Sequence, residues 1–231
     1  MQNSKFKIDS PLRGIVLDVD GTLIASNDAH AQAFIEAARR VGLDVPPYEE
    51  VRRLIGKGGD KLIPEVWGIP SEEGKGKELS SVKGEIFRDR YLPNLQATPG
   101  ARALLEQFRD DGLKLVVATS AKEEDLKHLL KRAGIEDLIE GGTTASDVED
   151  SKPDPDVMHS AVNKAGLEPT EMLMLGDTPY DVEAASRAGV RTVAVRCGGW
   201  SDDDLSGAIA IYDDPADLLS RYSESPFGSA G

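Results

Sequence analysis

Gly14-Ile15-Val16-Leu17-Asp18-Val19-Asp20-Gly21-Thr22 is the stretch that decides the fold. An almost wholly apolar run ends in two aspartates and a Gly-Thr turn. Such a run fits a strand covered on both faces of a parallel sheet, because a half-exposed strand would alternate apolar with polar. Aspartate is a poor strand former, so Asp18 and Asp20 mark the strand's end, and at i and i+2 they project to the same side. Open α/β sheets bind their ligands beyond the carboxyl ends of their strands. Two carboxylates there repel one another and imply a cation, a shared proton, or both. The plain alternative is an acidic turn closed by an Asx hydrogen bond.

The same pattern repeats along the chain. Strand-length apolar runs occupy Leu113–Ala118, Leu138–Gly141, Met172–Leu175, Arg191–Val195 and Ala208–Tyr212. Helical periodicity fills Ala101–Asp111, Glu123–Ala133, Asp154–Ala165, Pro179–Ala188 and Ala216–Tyr222. Gly112, Gly134, Gly166 and Gly189 each follow a periodic segment, where a helix C-cap favours glycine. Strand and helix alternating through short loops predict an α/β fold on a parallel sheet.

From Ser26 to Gln96 the alternation lapses. Ala31, Phe34, Ile35, Ala38 and Val41 stand at helical spacing behind Asn27 or Asp28 as N-cap. Weaker helical patterns follow at Tyr48–Ile55, Lys61–Val66 and Glu78–Leu92. Residues 26–96 therefore read as an all-helical insert, and residues 1–25 with 97–231 as the core it interrupts. The segment Ser71–Arg90, with five acids and five bases, reads as a solvated face. The tail Ser223–Gly231 reads as frayed.

Composition narrows the partners. The 231 residues carry 41 Asp and Glu against 27 Lys and Arg, a net charge of −14. Nucleic acid and anionic membranes are disfavoured, since phosphate contacts need clustered Lys and Arg. Met1–Lys7 leads into no apolar stretch, and no run approaches the ~20 apolar residues of a membrane helix. Cys197 is the single cysteine, which excludes an intramolecular disulfide and a cysteine-based zinc site and suits a reducing compartment. The expectation is a cytoplasmic protein, monomer or dimer, acting on a small molecule.

Three further strand ends carry polar chemistry. Ala118-Thr119-Ser120 presents hydroxyls and amides ahead of a helix, whose N-terminus favours anions. Ser151-Lys152-Pro153-Asp154-Pro155 sets a lysine in a stiff turn. Leu175-Gly176-Asp177-Thr178-Pro179-Tyr180-Asp181 adds two acids four residues apart. Carboxylates without histidine form a hard oxygen donor set that suits Mg²⁺. Taken singly, Thr119-Ser120 is also an ordinary helix cap, and Lys152 an ordinary surface lysine.

Asp-x-Asp-x-Thr, Thr-Ser, Lys-Pro and Gly-Asp-x-x-x-Asp, in this order and each after its own strand, resemble the haloacid dehalogenase-like hydrolase superfamily. The resemblance spans essentially the whole chain and points to its helical-cap phosphatase branch. It implies a Rossmann-like core, an inserted all-helical cap domain and Mg²⁺-dependent phosphoryl transfer. On that likeness Asp18 is the nucleophile that becomes an aspartyl-phosphate, and Asp20 the general acid–base. Thr119 and Ser120 hold phosphoryl oxygens, and Lys152 neutralises the phosphate and pairs with Asp18. Asp177 joins Asp18 and the Asp20 carbonyl as metal ligand, with Asp181 ligating directly or one step behind. Under metal and lysine Asp18 is then expected to stay ionised, and Asp20, the partner that is not charge-neutralised, to hold a proton more readily.

The insert holds the specificity candidates. Arg52, Arg53 and Ile55-Gly56-Lys57-Gly58-Gly59-Asp60-Lys61 could lay cations and amides over a substrate, or form only a turn. The loop has neither Walker A nor dinucleotide spacing. Lys57 and Arg53 are the candidate contacts. His30, ten residues after Asp20, either approaches the substrate or lies on a helix surface. The leading expectation is a phosphatase acting on a small phosphorylated metabolite, a phosphoglycolate-like acid or a sugar phosphate. A phosphomutase shares all four motifs. A 2-haloacid dehalogenase fits poorly, because that branch replaces the second acid of the first motif, and a non-catalytic binding protein would be expected to have lost a motif.

Overall fold

A computed structural model of the chain describes residues 10–228. Met1–Lys7, and the end of the tail Ser223–Gly231, lie outside the described residues. The core is one six-stranded parallel sheet in the order β3-β2-β1-β4-β5-β6. The strands are β1 (Gly14–Leu17), β2 (Lys114–Ala118), β3 (Gly141–Thr143), β4 (Met172–Gly176), β5 (Arg191–Val195) and β6 (Ala210–Tyr212). The helices are α1 (Asn27–Val41), α2 (Tyr48–Arg52), α3 (Gly59–Trp67), α4 (Gly74–Ile86), α5 (Ala101–Asp110), α6 (Glu123–Ala133), α7 (Asp156–Ala165), α8 (Pro179–Arg187) and α9 (Pro215–Ser220). Doubly covered strands account for the continuous apolar runs. Ile15 and Leu17 pack into one buried cluster with Leu115, Val117, Leu173, Leu175 and α5. Val16 points the other way, into a second cluster with Met174 and the inner faces of α7 and α8. Each such fully buried side chain contributes roughly 1.5–3 kcal/mol.

β1 lies at the centre of the sheet, with Leu17 opposite Val117 on one side and Leu175 on the other. That register brings the residues following β1, β2 and β4 to one edge. The four glycines expected to end helices, Gly112, Gly134, Gly166 and Gly189, all take left-handed backbone. Between β1 and β2 no further strand occurs among the described residues, only isolated bridges: α1 to α4 and helical turns over Phe87–Asn94 fill the insert, and α5 follows. All five apolar residues read on the first insert helix are buried.

Several expectations are corrected. α1 begins at Asn27, so its N-cap is Ser26, whose hydroxyl turns away to Asp20. β3 covers Gly141–Thr143 and not Leu138–Gly141; Leu138 is buried at the end of a 3-10 turn. Ser71–Arg90 is not a wholly solvated face, because Leu79, Ile86 and Phe87 are buried. The tail is ordered through Gly228: Phe227 is fully buried, its ring 4.7 Å from that of Phe108. No helix among the described residues is long and apolar enough to cross a membrane.

Candidate active site

The Asp18-to-Thr22 turn folds back on itself, Gly21 N–H donating to the Ile24 carbonyl at 2.8 Å. Gly21 takes φ +87°, and a Cβ there would fall 2.3 Å from Asp177 Oδ2. Only glycine lets the turn approach the β4 motif so closely. The Thr22 hydroxyl lies 2.8 Å from Asp177 Oδ1 and 3.1 Å from Asp18 Oδ2, sharing its proton between them. Asn27 Nδ2 donates to Asp177 Oδ2 at 2.9 Å. Thr178 and Asp181 form a reciprocal cap at the start of α8, the Thr178 N–H and hydroxyl both donating to Asp181 Oδ2. Lys152, 1% exposed, reaches across from its own loop, with Nζ 2.6 Å from both Asp18 Oδ1 and Asp181 Oδ1.

Asp18, Asp177 and Asp181 thus converge, all buried, with donor oxygens within 4.8 Å of one another. Three carboxylates against one lysine leave surplus negative charge in an all-oxygen donor set. That chemistry fits a hard divalent cation. Burial pushes Asp18 up to about 7 against the pull of Lys152, with Asp181 and Asp20 adding to the rise. Burial, Asp18 and Asp181 likewise raise Asp177. Burial would lower Lys152, but Asp18 and Asp181 outweigh it and the ammonium is stabilised.

The Asp20 carboxylate is not part of this cluster. Its Oδ1 accepts from Ser26 Oγ at 2.5 Å and meets His30 Nε2 at 2.8 Å. Behind it, His30 Nδ1 lies 3.0 Å from Lys83 Nζ, and the imidazole stacks on Phe87 at 4.0 Å. An ammonium only donates, so Nδ1 accepts from it and Nε2–H donates to Asp20. Burial would raise Asp20, but His30 and Ser26 outweigh it and hold the carboxyl below the ordinary carboxylate value. Among the protein's own groups Asp18 is thus the raised acid and Asp20 the lowered one, whereas the ionised Asp18 expected above is the one beneath a metal ion. Burial and Lys83 together lower His30, and burial lowers Lys83.

Thr119, 1% exposed, sits at the end of β2, its Oγ1 accepting from Ala121 N–H. Ser120 Oγ donates to the Gly56 carbonyl at 3.1 Å, tying the insert's glycine loop to the sheet edge. The Tyr180 hydroxyl donates to the Arg53 carbonyl at 2.6 Å. Arg53 is exposed and Lys57 is held by Glu65 at 2.5 Å, with Nζ 5.0 Å over the Tyr180 ring. Neither touches the acid cluster. His30 lies on no helix surface; it is buried against Asp20. Arg52 bonds Asp28 at 2.6 Å and the Gly198 carbonyl at 2.5 Å.

Sequence reading passed over Ser26, Asn27 as a partner of Asp177, Lys83 and Gly198. Lys83 carried a usable signal: Leu79, Lys83 and Ile86 share one helix face, so an amphipathic stripe places the lysine inward. Gly198 carried none, because its role is only the approach of a distant loop to Asp177.

The site thus lies at the polar edge of a parallel α/β core, roofed by a helical insert. The chain belongs to the haloacid dehalogenase-like hydrolase family, whose pattern it matches over residues 15–195. It is 30% identical over 217 residues to the phosphoglycolate phosphatase of Rhodospirillum rubrum, covering 89% of each chain. It is 28% identical to the N-acetylmuramic acid 6-phosphate phosphatase of Pseudomonas aeruginosa, over 90% of this chain and 93% of that one. A hydrolase from Pseudomonas syringae superposes with a TM-score of 0.85 at 30% identity, over 92% of this chain and 98% of that one. The protein is accordingly an enzyme, a phosphatase of this family.

Proposed function

We propose that the protein is a Mg²⁺-dependent phosphatase that hydrolyses a small phosphorylated metabolite, a phosphoglycolate-like acid or a sugar phosphate, through an aspartyl-phosphate on Asp18. The observation that carries the reading is the buried Asp18–Lys152 contact at 2.6 Å beside Asp177 and Asp181. A carboxylate and a phosphate monoester repel, so attack requires positive charge where negative charge gathers. Lys152 supplies one such charge. Asp18, Asp177 and Asp181 would hold Mg²⁺, which when bound offsets the rest.

Asp18 forms a bond to phosphorus as the bond to the ester oxygen breaks. A proton carried in on the phosphate monoester passes to Asp20, which delivers it to that leaving oxygen. Water then attacks the phosphorus of the aspartyl-phosphate, Asp20 takes its proton, and phosphate leaves with the Asp18 carboxylate restored. Ser26 and His30 orient Asp20 for both transfers. Thr119 and Ser120 bind phosphoryl oxygens at the end of β2. In this reading residues 26–96 are a cap over the core of residues 1–25 and 97–231. The cap excludes water from the reacting centre, with Lys57 and Arg53 at its rim. A panel of phosphate esters assayed with Mg²⁺ tests the proposal: release of inorganic phosphate from a small ester supports it. Conversion of a hexose 1-phosphate to its isomer without release would replace it with a mutase, and no turnover of any ester would remove it.

A further inference from the structure

We propose that Asp60, in the first turn of α3, is a positioning residue for Lys152, gripping Ser151 so that the seating of the cap fixes the lysine's backbone. The proposal rests on the role given to Lys152 above. Asp60 meets Ser151 twice. Its Oδ1 accepts from the Ser151 hydroxyl at 2.5 Å, and its Oδ2 accepts from the Ser151 main-chain N–H at 3.2 Å. The same hydroxyl accepts from the Gly58 N–H at 3.0 Å. The insert thus takes up the Ser151 side chain as donor and as acceptor, on a residue only 3% exposed. The approach is close: a Cβ on Gly58 would fall 2.3 Å from both Ser151 Oγ and Asp60 Oδ1.

Lys152 follows directly. A lysine has four rotatable bonds, and its ammonium must meet Asp18 and Asp181 at once, both at 2.6 Å. Its reach is set by where its backbone is anchored. Pro153 stiffens one flank by fixing its own φ. On the other flank the anchor is the Asp60 grip, one bond of which is to the main chain itself. Lys61 pairs with Asp150 and, at 3.1 Å, with Asp154, and so straddles the same loop. Its ammonium and both acids are partly open to solvent, where such pairs contribute little. A carboxylate accepting from a buried hydroxyl belongs to a stronger class of contact.

The test compares Asp60→Ala, Asp60→Asn, Ser151→Ala, the Asp60→Ala/Ser151→Ala double variant and Lys61→Ala, with p-nitrophenyl phosphate and Mg²⁺ and a thermal melt of each. Asp60→Ala should lower kcat roughly 10- to 100-fold. Its KM should change by less than about threefold, because the loss falls on orientation in the transition state. Asp60→Asn keeps the oxygen facing the hydroxyl and loses the acceptor facing the N–H, so its kcat should lie between wild type and Asp60→Ala. The double variant should be no slower than the slower single one. Lys61→Ala breaks a cap–core contact without touching Ser151 and should stay within about threefold of wild type. If Asp60→Ala gives no cooperative melt, Asp60→Asn decides: an intermediate kcat supports the proposal and a wild-type kcat overturns it. A change confined to KM, additive single losses, or an equal loss in Lys61→Ala would each overturn it. Failure of the phosphatase reading would look different: the wild-type protein itself would release no phosphate.

Discussion

Replacing Gly198 with alanine should disable the site from a position that carries no chemistry of its own. Gly198 follows β5, and a Cβ built on it would fall 1.7 Å from Asp177 Oδ2 and 2.4 Å from Asp177 Cγ. Carbon atoms of this kind essentially never come within 3.0 Å of a neighbour, so one partner must retreat by more than 1 Å. If Asp177 retreats, it leaves the Thr22 hydroxyl at 2.8 Å and the Asn27 amide at 2.9 Å. If the backbone retreats, its carbonyl leaves Arg52 at 2.5 Å. Each bond to a charged group contributes about 1.5–3 kcal/mol, and a misplacement of about 1 Å at a reacting centre can cost about 100-fold in rate. The half-saturating Mg²⁺ concentration should rise by about tenfold or more, because partners that orient a ligand tune the affinity for the metal. The assay is phosphate release from the best ester against a Mg²⁺ titration, beside a thermal melt showing that the fold survives. Activity within about threefold of wild type at an unchanged Mg²⁺ midpoint would refute the placement of Asp177 and its loop.

Asp18→Asn should abolish turnover while keeping a cooperative melt; residual activity within about tenfold of wild type would take the nucleophile role from Asp18. EDTA should silence the enzyme, Mg²⁺ should restore it, and Ca²⁺ should bind without supporting the chemistry, so full activity in excess chelator would exclude metal dependence. The stabilisation conferred by Mg²⁺ should also depend on pH. Asp18 stands at about 7 in the folded chain against 3.8 ordinarily, so its ionisation costs stability progressively as pH climbs from about 4 to about 7. A cation that holds the ionised form offsets this, so the Mg²⁺-induced rise in Tm should be larger at pH 8 than at pH 5; an equal rise would contradict the burial of Asp18. Phe227→Ala should cost about 3–5 kcal/mol and lower Tm by roughly 6–20 °C, whereas a tail that contributes nothing to the core would leave the melt unmoved.

What was legible in the sequence follows from local chemistry. Continuous apolar runs reported the doubly covered strands β1, β2, β4 and β5, and the glycines after four periodic segments reported left-handed helix ends. β3 was misplaced because apolarity reports burial and not pairing: Leu138 is buried in a turn, while Gly141 and Gly142 form the strand by pairing with Val116 and Val117. The first and last of the four motifs pointed to the residues of the acid cluster, and the Lys-Pro motif to the lysine that pairs with two of them. The state of those acids was not legible, since the order of Asp18 and Asp20 turns on which of them His30 and Lys83 reach, 10 and 63 residues further on. Phe227 looked idle in a polar tail because its partner Phe108 is brought to it only through the fold.

The central place of β1 also sets an order of assembly. Gly14 pairs with Lys114 and with Met172, so the first strand made meets its second neighbour only 158 residues later. At 5–20 residues per second, a ribosome takes roughly 8–30 s to make that span. Helices α1 and α4 need no part of the sheet to find each other, and they can pair while the nascent chain still lacks β2. Contacts so distant along the chain slow the closing of the sheet. During synthesis the roof is therefore available before the floor, and β1 waits with both edges open until β2 has been made and with one still open until β4 follows. A chaperone that shields a nascent apolar strand would have its longest task here at Gly14–Leu17.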